Sequence, residues 1–306
     1  MASSYTAKRY SYGPNVLQSY DVHLLSGNGN NCHHHSRKPW IVYIHGGYFR
    51  DLTVNSTSVE PALKVLESRN TTNLTNTIDQ IAGIASLNYR LSALPGVQDP
   101  ATTPPNEIQN ISWPEHLNDV VTGLKDLNKH HRIDGNYIIS GHSVGAQMAF
   151  LAALQTLNDT AIPKPVAVLG VSGIYDFPQI LRTNPDYANL TFNAIKDPAL
   201  LGSASPAEYP ASLYAQLKLR AVALAHSHDD GLVPWDQVDT MYAVIKDVAD
   251  KDAAIVTLQG AHNSIWGGGV QLAKAFAGAL ALLDLSVKAL IDHSGHCTAA
   301  CLRGHL

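Results

Sequence analysis

The chain has 306 residues, 21 Lys+Arg against 25 Asp+Glu, and a formal net charge of −4. Such a length buries a large core without disulfides or metal, and the acidic balance carries no basic footprint for nucleic acid and no polybasic segment for a membrane. Charged residues make up only 15%, and Asn, Ser and Thr supply the remaining polarity.

The N-terminus lacks the apolar run of an export signal, and no stretch reaches the length of a membrane span. Tyr10–Tyr12 and Tyr20–Val22 alternate around Gly13-Pro14-Asn15, the pattern of an edge hairpin. Residues 27–38 read as a polar loop. Short apolar, β-branched runs follow at Trp40–Ile44, Ile81–Leu87, Tyr137–Ile139, Val166–Val171, Ala221–Ala225 and Ile255–Leu258, each suited to a buried strand. Between them, Leu117, Val120, Val121, Leu124 and Leu127 mark one face of a helix opened by Pro114 and Glu115. Further helices are expected over Val144–Leu157, Asp236–Val248 and Val270–Leu283. Strand–helix alternation implies a mostly parallel sheet with helices on both faces. Ser92–Ser112 is a proline-rich loop, and Ser172–Leu217 is longer than a crossover needs, so it reads as a lid-like insertion. The expectation is one α/β domain over 1–306, with a core at about 38–285 and a tail at 286–306.

Gly141-His142-Ser143-Val144-Gly145 fits G-x-S-x-G. The pentapeptide alone is a common pattern, but here a buried strand precedes it and a helix follows. That is the context of a nucleophile elbow, in which small residues let strand and helix pack around an exposed serine. His45-Gly46-Gly47 follows an early strand, where an oxyanion loop belongs, so backbone N–H groups of Gly47, Tyr48 and Val144 are candidate donors. In such folds the order is Ser, then acid, then His. Asp229 and Asp230 follow the Ala221–Ala225 strand, with Asp230 favoured because it directly precedes Gly231-Leu232-Val233-Pro234. His262 follows the last strand. It would take the Ser143 proton while the acid fixes its tautomer. His45 reads as a structural hydrogen-bonder.

These residues resemble a known family. His45–Asp51 (HGGYFRD), Ser86–Ser92 (SLNYRLS), Pro114–Leu117, Gly141–Ala146 (GHSVGA), His226–Pro234 and Ala261–Asn263 look like kynurenine formamidase, or arylformamidase, of the fungal type. The resemblance spans about residues 38–285. It implies an α/β-hydrolase that cleaves N-formyl-L-kynurenine to kynurenine and formate, with Ser143, Asp230 and His262 as triad and Gly47, Tyr48 and Val144 as oxyanion donors. Phe49 stands where the family usually carries Trp, and the 172–217 stretch matches no family motif.

Tyr48, Phe49, Tyr89, Tyr175, Phe177 and Trp266 lie beside strand ends, where an aryl group could stack or where rings simply pack. Of these, Phe49 and Trp266 are taken as substrate contacts. Arg50 and Asp51 could hold a charged amino-acid group or pair with the scaffold. Cys32-His33-His34-His35 and the tail residues His293, His296, Cys297, Cys301 and His305 lack zinc-site spacing, so neither metal nor cofactor is expected. The sparse cysteines fit a reducing, cytoplasmic setting, and the N-x-S/T sequons at Asn55, Asn70, Asn73, Asn110, Asn158 and Asn189 read as surface composition. The partner expected is a small aryl formamide or ester, with no nucleic acid and no membrane; homodimerisation is left open. Two other functions stay open: a carboxylesterase or thioesterase acting on a secondary metabolite, and a hydrolase-fold protein that binds or cyclises without hydrolysis.

Overall fold

A computed structural model describes residues 5–25, 38–99, 101–248 and 253–294. Eight strands form one sheet: β1 (Tyr5–Ser11), β2 (Ser19–Leu25), β3 (Trp40–Ile44), β4 (Gly83–Leu87), β5 (Tyr137–His142), β6 (Ala167–Val171), β7 (Ala221–Ser227) and β8 (Ala253–Leu258). Their spatial order is β1-β2-β4-β3-β5-β6-β7-β8. The first hairpin and the β2–β4 pair are antiparallel, and every pair from β4 to β8 is parallel. The helices are α1 (Glu60–Ser68), α2 (Glu115–His131), α3 (Val144–Gln155), α4 (Phe177–Thr183), α5 (Ala188–Ala194), α6 (Ala211–Gln216), α7 (Asp236–Ile245), α8 (Ser264–Gly267) and α9 (Val270–Ser294).

The continuous apolar runs are explained by a sheet covered on both faces. Along β3, Trp40, Val42 and Ile44 enter the core shared with α2, α3 and α7. Ile41 and Tyr43 enter the core shared with α1 and α9. Side chains alternate across the pleat, so every residue of the strand is buried although it shows no polar alternation. The helix expected from Leu117, Val120, Val121, Leu124 and Leu127 is α2, and all five enter the first core. Among the expected elements α1 has no counterpart. Its buried residues Ala62, Leu63 and Leu66 give too short a periodic signal.

The stretch between β6 and β7 folds as α4, α5, α6 and short turns, seated on the α3/α7 side. Buried side-chain amides hold it there. Gln147 of α3 donates to the Ala204 carbonyl at 2.8 Å, and the Gln237 oxygen accepts from the N–H groups of Tyr175 and Asp176 at 2.8 and 2.9 Å. Residues just beyond the C-terminal ends of β3, β5, β6, β7 and β8 line one cavity together with Tyr187 and with Leu190 of α5. In an open α/β sheet that is where ligands bind.

Candidate active site

Ser143 is the turn between β5 and α3, with φ 57° and ψ −123°. A non-glycine residue held there costs about 1–3 kcal/mol, so the surroundings must enforce it. Glycines enforce it by close approach. A Cβ on Gly141 would be driven into the Gly145 carbonyl, and one on Gly145 into the carbonyl of Ile44 at the end of β3. The Ser143 N–H donates to the Val171 carbonyl at 2.9 Å, tying the turn to β6.

Asp230 and His262, the acid and the histidine expected from the sequence, follow the ends of β7 and β8. His262 Nδ1 lies 2.7 Å from Asp230 Oδ2. A carboxylate only accepts, so Nδ1 carries a proton, and in the neutral ring the lone pair is on Nε2. The other oxygen, Oδ1, accepts the N–H groups of Leu232 and Val233 at 3.0 and 2.9 Å. Burial opposes ionisation of Asp230, but the His262 hydrogen bond and charge, with the two backbone N–H groups, outweigh it and bring the carboxyl down to about 2. Asp229 instead points to solvent. Two further histidines line the Asp–His pair from behind. His226 donates from Nε2 to the Val233 carbonyl at 3.0 Å, and His142 from Nε2 to the His262 carbonyl at 3.2 Å. Burial keeps both neutral.

The loop after β3 turns through three successive positive φ values: Gly47 at 91°, Tyr48 at 45° and Phe49 at 65°. The Gly47 carbonyl accepts from Arg50 and Asp51 N–H at 3.0 and 2.9 Å. Among the described residues, no acceptor takes the N–H of Gly47 or Tyr48. Val144 is the first residue of α3, where an N–H has no intrahelical partner. Behind the loop, His45 stacks on Tyr89 at 4.4 Å, and the Tyr89 hydroxyl donates to the Gly46 carbonyl at 2.9 Å. Burial pulls His45 down to about 4, so it is neutral and acts as a brace. The Asn88-Tyr89-Arg90 segment is wholly structural here: Asn88 accepts the Ser56 N–H, and Arg90 grips Asp119 of α2 through two 2.8 Å bonds.

Ser143, His142, His262, Gly47 and Tyr48 share a cavity of about 440 Å³, within the usual range for a small-molecule site. Tyr187, Leu190, Leu232 and Trp266 supply much of its apolar wall, and Arg50 and Asp51 add opposite charges. Of the two residues expected as substrate contacts, Trp266 lines the cavity and Phe49 does not. Phe49 is 0% exposed and packs against Trp113, His116 and Phe177 at centroid distances of 6.1, 4.8 and 6.3 Å, because its positive φ turns the ring inward, away from the cavity. Tyr89, Tyr175 and Phe177 are core residues as well. The sequence reading missed Tyr187, Leu190 and His142. The first two sit in the aperiodic stretch, with only their i, i+3 spacing as a signal, and His142 was hidden as the variable position of the elbow.

Among the described residues, no cluster of His, Cys, Asp and Glu could hold a metal ion, and no helix is long and apolar enough to cross a membrane. Cys32–His35, His296, Cys297, Cys301 and His305 lie outside the described residues.

No family model matches the chain. It is 34% identical over 265 residues to the kynurenine formamidase-like hydrolase fscH of Fusarium equiseti, covering 81% of this chain and 85% of that protein. It is 28% identical to kynurenine formamidase avaC of Aspergillus versicolor, over 74% of this chain and 83% of that one. A kynurenine formamidase of Meyerozyma guilliermondii is 27% identical, over 85% and 89%. Among solved structures, a tributyrin phosphonate-inhibited esterase B from Lactobacillus rhamnosis superposes with a TM-score of 0.66 at 15% identity, over 95% of this chain and 89% of that one. Carboxyl esterase 2 from Tuber melanosporum gives 0.62 at 16%, over 92% and 88%. The esterases share the α/β-hydrolase fold, and the similarity in sequence places the chain in the family of kynurenine formamidase-like hydrolases.

Proposed function

We propose that this hydrolase cleaves the formamide of N-formyl-L-kynurenine, giving kynurenine and formate, by a Ser143–His262–Asp230 triad. The observation that carries the reading is His262, held by the buried Asp230 at 2.7 Å and sharing one aromatic-walled cavity with Ser143 on its strained turn.

His262 Nε2 takes the proton of Ser143 as Oγ attacks the formyl carbon. The negative charge developing on the formyl oxygen is met by the N–H groups of Gly47, Tyr48 and Val144, which need no reorganisation at that moment. Asp230 stabilises the imidazolium without taking its proton. The C–N bond then breaks as His262 returns the proton to the aryl nitrogen, and the arylamine leaves. Water attacks the formyl ester of Ser143, again losing a proton to His262, and formate departs. Formyl is the smallest acyl group, so the space beside Ser143 can be tight while Tyr187 and Trp266 flank the aryl ring. In this reading the 172–217 stretch acts as the lid over the arylamine.

The test is kcat/KM of the purified protein for N-formyl-L-kynurenine, formanilide and p-nitrophenyl acetate. Preference for the kynurenine formamide is expected. Ester turnover without formamide turnover would overturn the substrate and leave an esterase.

A further inference from the structure

Arg50 and Asp51 are neighbours in sequence and both line the cavity, yet they form no ion pair with each other. Asp51 is oriented by the segment after it: Oδ1 accepts the Thr53 N–H at 2.8 Å and the Thr53 hydroxyl at 2.6 Å. Among the described residues, the Arg50 guanidinium has no hydrogen-bond or ion-pair partner. By contrast Arg9, Arg69 and Arg90 each grip a carboxylate. A partly buried arginine beside an apolar wall, with no carboxylate of the protein on its guanidinium, is matched to an anion supplied by the ligand. Among the described residues it is the one Lys or Arg on the cavity wall, and Asp51 the one Asp or Glu.

We infer that Arg50 binds the α-carboxylate of the substrate and Asp51 its α-ammonium, so that the cavity selects aryl formamides carrying a free amino-acid end. The inference rests on the formamidase reading and deepens it. The backbone explains the placement. Both residues donate their N–H to the Gly47 carbonyl, so the turn that frees the Gly47 and Tyr48 N–H groups also sets the two charges at the cavity wall. The reacting carbonyl and the amino-acid end are thereby measured from one rigid loop.

A contact to a non-reacting part of the substrate strengthens ground state and transition state alike, and therefore acts on KM. The wild type should favour N-formyl-L-kynurenine over N-formylkynurenamine, which lacks the carboxylate, by about 10- to 100-fold in KM, the range of a charge-assisted hydrogen bond. In Arg50→Gln that ratio should fall towards one, with partial recovery in Arg50→Lys and an unchanged thermal midpoint in both. A ratio retained in Arg50→Gln, or no preference in the wild type, overturns the subsite. Titration calorimetry of L-kynurenine and kynurenamine into Ser143→Ala protein, with and without Arg50→Gln, reads the same subsite without turnover. Carboxylate-dependent binding with no formamide hydrolysis by the wild type would sink the formamidase reading and keep the subsite. Equal binding of the two amines would sink the subsite whatever the turnover.

Discussion

The Tyr48 hydroxyl hydrogen-bonds Thr191 Oγ1 at 2.8 Å, joining the loop after β3 to α5. The Tyr48 ring also lies 5.6 Å from Tyr187, so the residue whose backbone N–H is proposed as an oxyanion donor is held from the segment that carries the cavity-lining Tyr187 and Leu190. One buried neutral hydrogen bond is worth about 1 kcal/mol. Thr191→Val, which keeps the shape, should therefore lower kcat about 5-fold, and Tyr48→Phe should do the same. The double variant should lose no more than either alone. Steady-state kinetics on the three proteins measures this; additive losses would mean that the two groups act separately.

Asp230→Asn preserves shape but offers His262 the wrong partner, so the imidazole is no longer held with its proton on Nδ1. A loss of kcat of about 10⁴-fold is expected by analogy with other triads. Asp229→Asn alters a solvent-facing side chain and should leave kcat within about 2-fold of the wild type. Reversal of the two effects would reassign the acid.

Acid stability should fail first through histidines. In the folded protein His45 is drawn down to about 4 and His116 to about 3, both chiefly by burial, while in the unfolded chain each titrates near 6.5. Between those limits the unfolded state binds more protons, so stability is complete above about pH 6.5 and falls as pH drops towards 4. Asp230, down to about 2, adds a second loss only below about pH 4. Urea denaturation at pH 7.5, 5.5 and 4.5 should show the first loss, and His45→Gln should flatten it. An unchanged midpoint from pH 7.5 to 4.5 would contradict this.

Phe49 fills the core between Trp113, His116 and Phe177. Phe49→Leu should cost about 1–3 kcal/mol, read as a lower thermal midpoint, with KM for the formamide within about 2-fold of the wild type. A large rise in KM at unchanged stability would restore it as a substrate contact.

The parts legible in the sequence are those with a local physical signature. The buried strands were visible as apolar runs, and the elbow as Gly-x-Ser-x-Gly between a strand and a helix. Asp230 and His262 stand out in the sequence because each follows a strand end, although nothing in the sequence gives their 2.7 Å separation. Phe49 was misplaced for an equally physical reason. Its neighbours in sequence line the cavity, and only the run of positive φ values turns its ring the other way. Tyr187 and Thr191 were illegible because the stretch that carries them has no period, and what fixes it is buried amides such as Gln147 and Gln237, far away in sequence.

The central claim is that Ser143 attacks the formamide carbon. The most direct measurement is the rate of N-formyl-L-kynurenine hydrolysis by Ser143→Ala beside the wild type, with thermal midpoints compared. A loss of at least about 10³-fold in kcat by a protein that melts like the wild type is the predicted result. Formamide hydrolysis by Ser143→Ala within about tenfold of the wild-type rate would contradict it.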